Sequence, residues 1–257
     1  MDKQTVLLTG ASSGIGLELA KRFAQEGYDL VLLARSREGL EQLAQALRES
    51  HGVRAEVLVA DLRVPDAALA ILQALGERQL VIDVVVNNAG FGLQGLHDQL
   101  DMRQQMDLLQ VNIMALTQLT RLLLPGMRQR NVGGVLNVAS VAAFVAGPGM
   151  AVYYASKAFV LSFTEALHEE LSQTRLKVSC LCPGPTHTRF FTAGNMDGAR
   201  LLALGAQSAQ AVAHYGFAAF QRNQAIAVPG WKNLWMAHLT RLSPRFLARK
   251  IAQQFNQ

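Results

Sequence analysis

Short runs that are apolar at nearly every position alternate along this chain with longer stretches whose apolar residues recur at three- and four-residue steps. The runs fall at residues 4–9, 29–34, 54–60, 81–86, 134–139, 176–181 and 224–228. A strand that is apolar throughout is buried on both faces, as in a parallel sheet covered by helices on each side. The intervening spacing predicts helices over 15–26, 37–50, 102–130 and 150–173, and a further one opened by Pro65. Leu40, Leu43 and Leu47 mark the buried face of the second, and Gly27 stops the first. Pro125 and Gly126 should disturb the end of the long 102–130 helix. The expected fold class is α/β: one doubly wound parallel sheet of about seven strands, in a single domain over residues 1–257. There is no internal repeat, linker or low-complexity segment to divide it.

Composition excludes several alternatives. Half of the 257 residues are hydrophobic and 17% are charged, which supports a large core and excludes wholesale disorder. Cys180 and Cys182 are the only cysteines, so there is no disulfide framework. Their spacing is neither a zinc nor a redox pair, and on a strand it puts both on one face of the core. The six histidines form no metal-ligand spacing, and no metal is expected. No charged-then-apolar leader opens the chain, so the expectation is a cytoplasmic protein. Residues 131–156 carry no charge and are long enough for a membrane span, which needs about 20 apolar residues. Asn131, Asn137, Ser140, Pro148 and several glycines punctuate that stretch, which reads better as a buried strand, a loop and a helix start. The net charge of +5 is unevenly spread. The last acidic residue is Asp197, and seven basic residues follow it: Arg200, Arg222, Lys232, Arg241, Arg245, Arg249 and Lys250. That pattern points to a local anionic partner and away from a general nucleic-acid binder.

Thr9-Gly10-Ala11-Ser12-Ser13-Gly14-Ile15-Gly16 joins the first strand to the first helix. Glycines there allow a tight turn and close backbone approach, and the helix start offers N–H groups to a pyrophosphate. A glycine cluster alone is weak evidence; the strand before it and the helix after it make the case for a nucleotide. The end of the second strand commonly carries a carboxylate that binds a ribose 2′-hydroxyl. Here it carries Ala34, followed by Arg35 and by Arg37. Arg35 suits a 2′-phosphate, which favours NADP(H) over NAD(H). The alternative is that both arginines are solvated at a helix start.

Four further features lie at strand ends or on the helices beside them. Asn87-Asn88-Ala89-Gly90 follows the fourth strand, Asn112 lies in the long helix, Ser140 follows the fifth strand, and Tyr153 and Lys157 stand four apart on the next helix. Together with Asp61 and Pro183-Gly184-Pro185-Thr186-His187-Thr188, they occur in order between residues 9 and 188. In these motifs the chain resembles the short-chain dehydrogenase/reductase family. The resemblance implies a Rossmann-type domain and hydride transfer between NADP(H) and a carbonyl or hydroxyl group. It implies that Tyr153 is the general acid/base, that Lys157 also bonds the nicotinamide ribose, that Ser140 holds and polarises the carbonyl, and that Asn112 anchors a water in a proton relay. Gly10, Ser12, Ser13, Gly14, Ile15, Gly16 and Arg35 would hold the cofactor's phosphates. Asp61 and Leu62 would flank the adenine, and Asn88, Ala89 and Gly90 would line the cofactor backbone. Pro183, Gly184, Thr186 and Thr188 would meet the nicotinamide end, with Thr188 near the carboxamide. For Asp61 and Pro183-Gly184 the plain alternatives are a helix cap and a turn.

The chemistry agrees. Reducing a ketone leaves an alkoxide that needs a proton, and a free tyrosine, with a pKa near 10, exchanges protons poorly at neutral pH. A lysine four residues on shares its helix face and is expected to lower that pKa. Tyr154 also shares a face with Lys157, and spacing alone does not decide between the tyrosines; the family pattern Tyr-x-x-x-Lys selects Tyr153.

Substrate choice in the family lies largely after the sixth strand, here residues 188–221, which are expected to form a lid. Phe190, Phe191, Met196, Leu201, Leu202 and Leu204, with Phe144 and Val145, suggest a pocket for a hydrophobic ketone or aldehyde, such as a 3-oxoacyl, steroid-like or other lipid-like carbonyl. One rival is a dehydrogenase of a small polar hydroxy acid, for which Arg189 is the available cation; another is a non-catalytic NADPH-binding protein. Residues 231–257 form a basic amphipathic segment like that of lipid-oriented relatives, the long-chain 3-oxoacyl and steroid reductases. Trp231, Leu234, Trp235, Leu239, Leu242, Phe246, Leu247 and Ile251 alternate there with cations around Pro244. The segment either packs on the body or a second subunit, or makes a peripheral membrane or acyl-carrier contact. Family members commonly pair through the long helices, so a homodimer or homotetramer is expected.

Overall fold

The computed structural model describes residues 3–188, 205–242 and 244–256. The residues singled out above between 189 and 204, including Arg189 and Phe190, lie outside these. Seven strands form one sheet: β1 (Thr5–Thr9), β2 (Asp29–Ala34), β3 (Ala55–Val59), β4 (Val84–Asn87), β5 (Gly134–Val138), β6 (Lys177–Leu181) and a last strand, Ile226–Ala227. Two short strands, β7 (Thr186–His187) and β8 (Gln207–Ser208), pair separately, which makes the last strand of the large sheet β9. The sheet order is β3-β2-β1-β4-β5-β6-β9, and every pairing is parallel. The chain winds outward in one direction through β2 and β3, then returns to the other side of β1 at β4. The gap between β1 and β4 is therefore the switch point, where ligands bind in open sheets.

Alternation within the apolar runs builds two cores. Val6, Leu8, Leu30, Leu32, Val84 and Val86 face one side, and Leu7, Val31, Leu33 and Val85 face the other. The first side is covered by α1 (Gly14–Gln25), α2 (Arg37–His51) and α7 (Ala209–Gln221). The second is covered by α3 (Ala67–Glu77), α5 (Leu116–Arg130) and α6 (Ala151–Glu170). Phe23 of α1 meets Phe217 of α7 edge-on at 4.9 Å. Residues 209–221 are thus a core helix, not part of a lid, because Val212, Phe217 and Phe220 are buried against α1 and the sheet.

The long helix also differs from expectation. It is α4 (Met102–Leu109), a π-helical turn (Gln110–Ala115) and then α5. Pro125 does not break α5, which ends at Asn131 in the left-handed conformation, φ 53°. Pro125 and Arg121 are both exposed, so the Arg121 carbonyl that proline leaves unbonded can be solvated. Pro65 lies in a turn, and α3 begins two residues later. The uncharged stretch is β5, a 3-10 turn (Val141–Phe144) and the start of α6. No described helix is long and apolar enough to cross a membrane.

A buried polar ladder ties the sheet to α5 and α6. Asn87 Nδ2 donates to Thr120 Oγ1 at 3.0 Å and to Asn137 Oδ1 at 2.9 Å, and Asn137 Nδ2 donates to Thr164 Oγ1 at 2.9 Å. Asn137 is wholly buried, so an apolar replacement strands both neighbours without water. Asn137→Val should cost about 2–4 kcal/mol. A lowered urea midpoint with an unchanged slope would register it; an unchanged midpoint would show the ladder to be energetically idle.

Candidate active site

The carboxyl ends of β1 and β4 are clasped together. Thr9 Oγ1 donates to Val86 O at 3.2 Å and accepts from the backbone N–H groups of Asn88 and Ala89, each at 3.0 Å. Asn88 Nδ2 donates back to Thr9 O at 3.0 Å and Gly10 O at 3.2 Å. The Asn88 side chain therefore shapes the glycine loop from beneath instead of lining the cleft, contrary to expectation. Gly10 has φ +68°, and a Cβ there would fall 2.8 Å from Asn88 Nδ2. A Cβ on Gly16 would collide with Gly10 O. Sequence reading took Thr9 only as part of the loop motif; its clue was a hydroxyl at the end of an apolar strand.

The loop opens α1 beside a cleft of about 570 Å³ lined by Ser12, Ser13, Gly14, Leu17, Glu18, His187, Thr188 and Ala209. Ser13, the N-cap, makes no side-chain bond to the helix start, and the first turn holds no acid. The first amide groups of α1 thus retain their capacity for an anion, which suits a diphosphate. Ile15 is half-buried, and its side chain packs against the first core, not the cleft. Thr188 lies beside this loop, its Cγ2 3.0 Å from the place a Gly14 Cβ would take. Thr186 is buried and donates to Gly184 O at 2.9 Å. Pro183 O accepts from Val141 N at 2.9 Å and from Ser140 Oγ at 3.5 Å. Gly184 sits under the Asn233 side chain, where a Cβ would approach its Oδ1 at 2.6 Å.

At the other side of the loop, Ala34 is buried and Arg35 is exposed. Arg37 pairs with Glu41 at 3.7 Å, whereas Arg35 makes no ion pair among the described residues. Asp61 is bound by Arg63, whose Nε lies 3.0 Å from both carboxylate oxygens. That bond holds the Asp61 carboxyl below its ordinary pKa, with a smaller contribution from Arg35. Leu62 is buried in the second core with Leu58 and Ile71, so its side chain does not reach the surface expected to flank an adenine. An apolar residue at a strand end packs inward unless something holds it out.

Ser140, Tyr153 and Lys157 converge at the end of β5. Ser140 caps the 3-10 turn, its Oγ accepting from Ala142 N at 3.1 Å. Tyr153 is buried beside Leu108, Ala142 and Met150, with Phe91 and Leu93 packed on this cluster. Burial pushes the phenol well above its ordinary pKa; a hydrogen bond with Ser140 acts in the opposite direction, and neighbouring Tyr154 raises it further. Lys157 Nζ donates to Val138 O at 2.9 Å and stands 5.9 Å from the centre of the Tyr153 ring. Burial pulls its pKa down to about 8. The expected lowering of Tyr153 by Lys157 is thus not what this geometry gives: the ammonium is turned to the strand carbonyl, and Ser140 supplies the lowering. Tyr154 meets Tyr153 edge-on at 6.0 Å and packs its ring where a Gly147 Cβ would stand. The structure brings Tyr153 to Ser140.

Asn112 lies in the π-helical turn, and its side chain is fully engaged. Its Oδ1 accepts from Phe91 N at 3.1 Å, and its Nδ2 donates to Phe91 O and to Ser156 Oγ, both at 3.0 Å. Ser156 Oγ in turn donates to Tyr153 O at 2.7 Å. Asn112 is therefore a brace between the Gly90 loop and α6. A Cβ on Gly90 would lie 3.0 Å from Asn112 Oδ1 and 3.3 Å from Lys157 Nζ. The sequence reading gave Ser156 no role in the site; a hydroxyl between Tyr153 and Lys157 was its signal. Cys180 and Cys182 are free, buried and 3.7 Å apart, on one face as expected. His97 and His168 are held by Gln105 and by Val178 O, and no group of potential metal ligands occurs among the described residues.

Comparison with known proteins agrees with this architecture. Residues 4–197 match the family described as short chain dehydrogenase. The ketoacyl reductase HetN of Nostoc sp. is 36% identical over 181 residues, covering 70% of this chain and 63% of that protein. The very-long-chain 3-oxoacyl-CoA reductase of Anas platyrhynchos is 36% identical over 181 residues, covering 69% of this chain. The chain spans only 58% of the length of that second relative. A short-chain dehydrogenase from Sphingobium yanoikuyae, solved in complex with NADPH, superposes with a TM-score of 0.82 at 34% identity, covering 93% of this chain and 94% of that one. The chain belongs to the short-chain dehydrogenase family of NAD(P)(H)-dependent oxidoreductases.

Proposed function

We propose that this protein is an NADP(H)-dependent reductase of hydrophobic ketones or aldehydes, of the 3-oxoacyl, steroid-like or other lipid-like kind. The observation that carries the reading is the convergence of Ser140, Tyr153 and Lys157 in an apolar setting, at the same sheet edge as the glycine loop. The start of α1 and Ser12 would hold the diphosphate, and Arg35 the 2′-phosphate. NADPH, when bound, supplies the hydride. Ser140 holds the carbonyl oxygen and polarises it. Tyr153 gives that oxygen its proton; burial keeps the phenol protonated at neutral pH, the state that reduction requires. Lys157 anchors α6 to the end of β5 and keeps a positive charge near the ring. Asn112, through Phe91 and Ser156, holds the walls of the site in register.

The names of two relatives, a ketoacyl and a long-chain 3-oxoacyl-CoA reductase, favour an apolar carbonyl over a small hydroxy acid. Phe144 and Val145 are half-buried beside Ser140 and form an apolar wall. Copies of the chain would pair through α4, the π-helical turn, α5 and α6, where Met102, Met106, Met114 and Phe159 are exposed.

NADPH oxidation should rise with apolar chain length across a panel of carbonyls, and Tyr153→Phe should lower it by about 10²–10⁴-fold with unchanged NADPH affinity. Preference for small polar carbonyls, or loss of activity in Tyr154→Phe instead, would overturn the reading. Arg35→Asp should weaken NADPH by about 10- to 100-fold and leave NADH nearly unaffected, as measured by fluorescence titration. Equal loss for both cofactors would remove Arg35 from the 2′-phosphate. The depressed Lys157 also makes stability depend on pH. Between about 8 and 10.5 the unfolded chain holds the Lys157 proton and the folded chain does not, so stability rises with pH across that window. Lys157→Met should lose that rise, about 3 kcal/mol at most, in urea melts between pH 8 and 10. Parallel pH curves for the two proteins would show that Lys157 does not titrate as described.

A further inference from the structure

The last two helices are amphipathic in the reverse sense from a packed surface helix. In α8 (Trp231–Leu242), Ala237 is buried and Asn233 rests on Gly184, while Trp231 is 71% and Trp235 63% exposed. Leu234, Met236 and Leu239 are exposed too. In α9 (Arg245–Asn256), Ala248 and Ala252 are buried, while Phe246 at 58%, Leu247 and Ile251 are exposed. Among the described side chains, the alanines of both helices are buried and the large apolar residues face outward. Scattered exposed apolar residues need no explanation, but this many on two consecutive helices do. Lys232, Arg245, Arg249 and Lys250 lie among them, all exposed, and no acidic residue follows Asp197. Lys232 Nζ stands 5.9 Å from the Trp231 ring.

We propose that the outward faces of α8 and α9 dock on an anionic lipid bilayer. The charge pattern selects this occupant. A second copy paired tail to tail would bring like charges together, whereas phosphate-bearing lipid headgroups neutralise lysine and arginine, and tryptophan sits well at a bilayer interface. The placement also gives docking a consequence. α8 starts on the Pro183–Gly184 loop and packs on the 3-10 turn that Ser140 caps, so the bilayer would lie next to the substrate end of the site. Uptake of a lipid-borne carbonyl rests on the function proposed above; docking itself does not.

Both tryptophans of the chain lie in α8, so selectively excited tryptophan fluorescence reports on that helix alone. The full chain, without substrate, is titrated with phosphatidylcholine vesicles and with vesicles that also contain phosphatidylserine. The expected result is a blue shift with cosedimentation, about tenfold or more tighter on the serine-lipid vesicles and weakened by salt. Trp235→Asp with Phe246→Asp should abolish both signals. Because that pair can disturb α8, Arg245→Gln with Lys250→Gln serves as a second variant; it should keep the helical circular dichroism and lose the preference for anionic lipid. No shift with anionic vesicles overturns the proposal. So does a shift that grows with protein concentration in the absence of lipid, which would indicate a second copy, or one seen only with an acidic carrier protein. NADPH oxidation on a water-soluble ketone, measured alongside, separates a failure of docking from a failure of the proposed activity.

Discussion

Thr9 and Asn88 hold the site at the switch point. Two parallel strands leave their carboxyl ends side by side, but the loops beyond them diverge unless something ties them. Here one hydroxyl accepts from two backbone N–H groups across the gap, and one amide returns two bonds to the glycine loop. Gly10 and Gly16 are the residues over which that clasp can close, because a Cβ at either would strike the Asn88 amide or the Gly10 carbonyl. The uncapped start of α1 then opens beside the cleft, with no charged side chain in the loop itself, an arrangement that suits an anion.

The second constraint is desolvation at the end of β5. Burial acts on Tyr153 and Lys157 in opposite directions, raising the phenol and lowering the amine, so both favour their neutral forms more than they would in water. The Val138 carbonyl and the Ser140 hydroxyl meet the polar ends of the two groups in place of water. The Asn112 brace and the Asn87–Asn137 ladder keep α5 and α6 seated on β4 and β5. The π-helical turn places Asn112 where its amide can span the Phe91 backbone and Ser156. Buried polar networks of this kind are costly if partly satisfied, and a single altered register would leave several groups unpaired.

Much of this was legible in the linear chain. Runs apolar at successive positions announced strands covered on both faces, and the two cores divide them as the period of two requires. The glycine loop, Ser140, Tyr153 and Lys157 were legible because each falls at a strand end or one helical turn from its neighbour. Less legible were the roles of residues whose partners are distant in sequence. Asn88 reads as a loop residue facing ligand but points 78 and 79 residues back along the chain, to Gly10 and Thr9. Leu62 reads as part of an adenine contact but joins the core. Residues 209–221 read as a lid because the family resemblance places substrate choice after the sixth strand, yet Phe217 and Phe220 close on Phe23.

The sequence by itself determined the sheet class, the strand-end position of the glycine loop and the presence of an arginine, not a carboxylate, just after the second strand, because local periodicity and short motifs encode all three. Only the tertiary structure decided that Tyr153 bonds Ser140 and where the Lys157 ammonium points. It also decided that the tail turns its tryptophans outward. Those choices depend on burial and on hydrogen bonds between segments tens of residues apart, and no spacing along one helix contains that information.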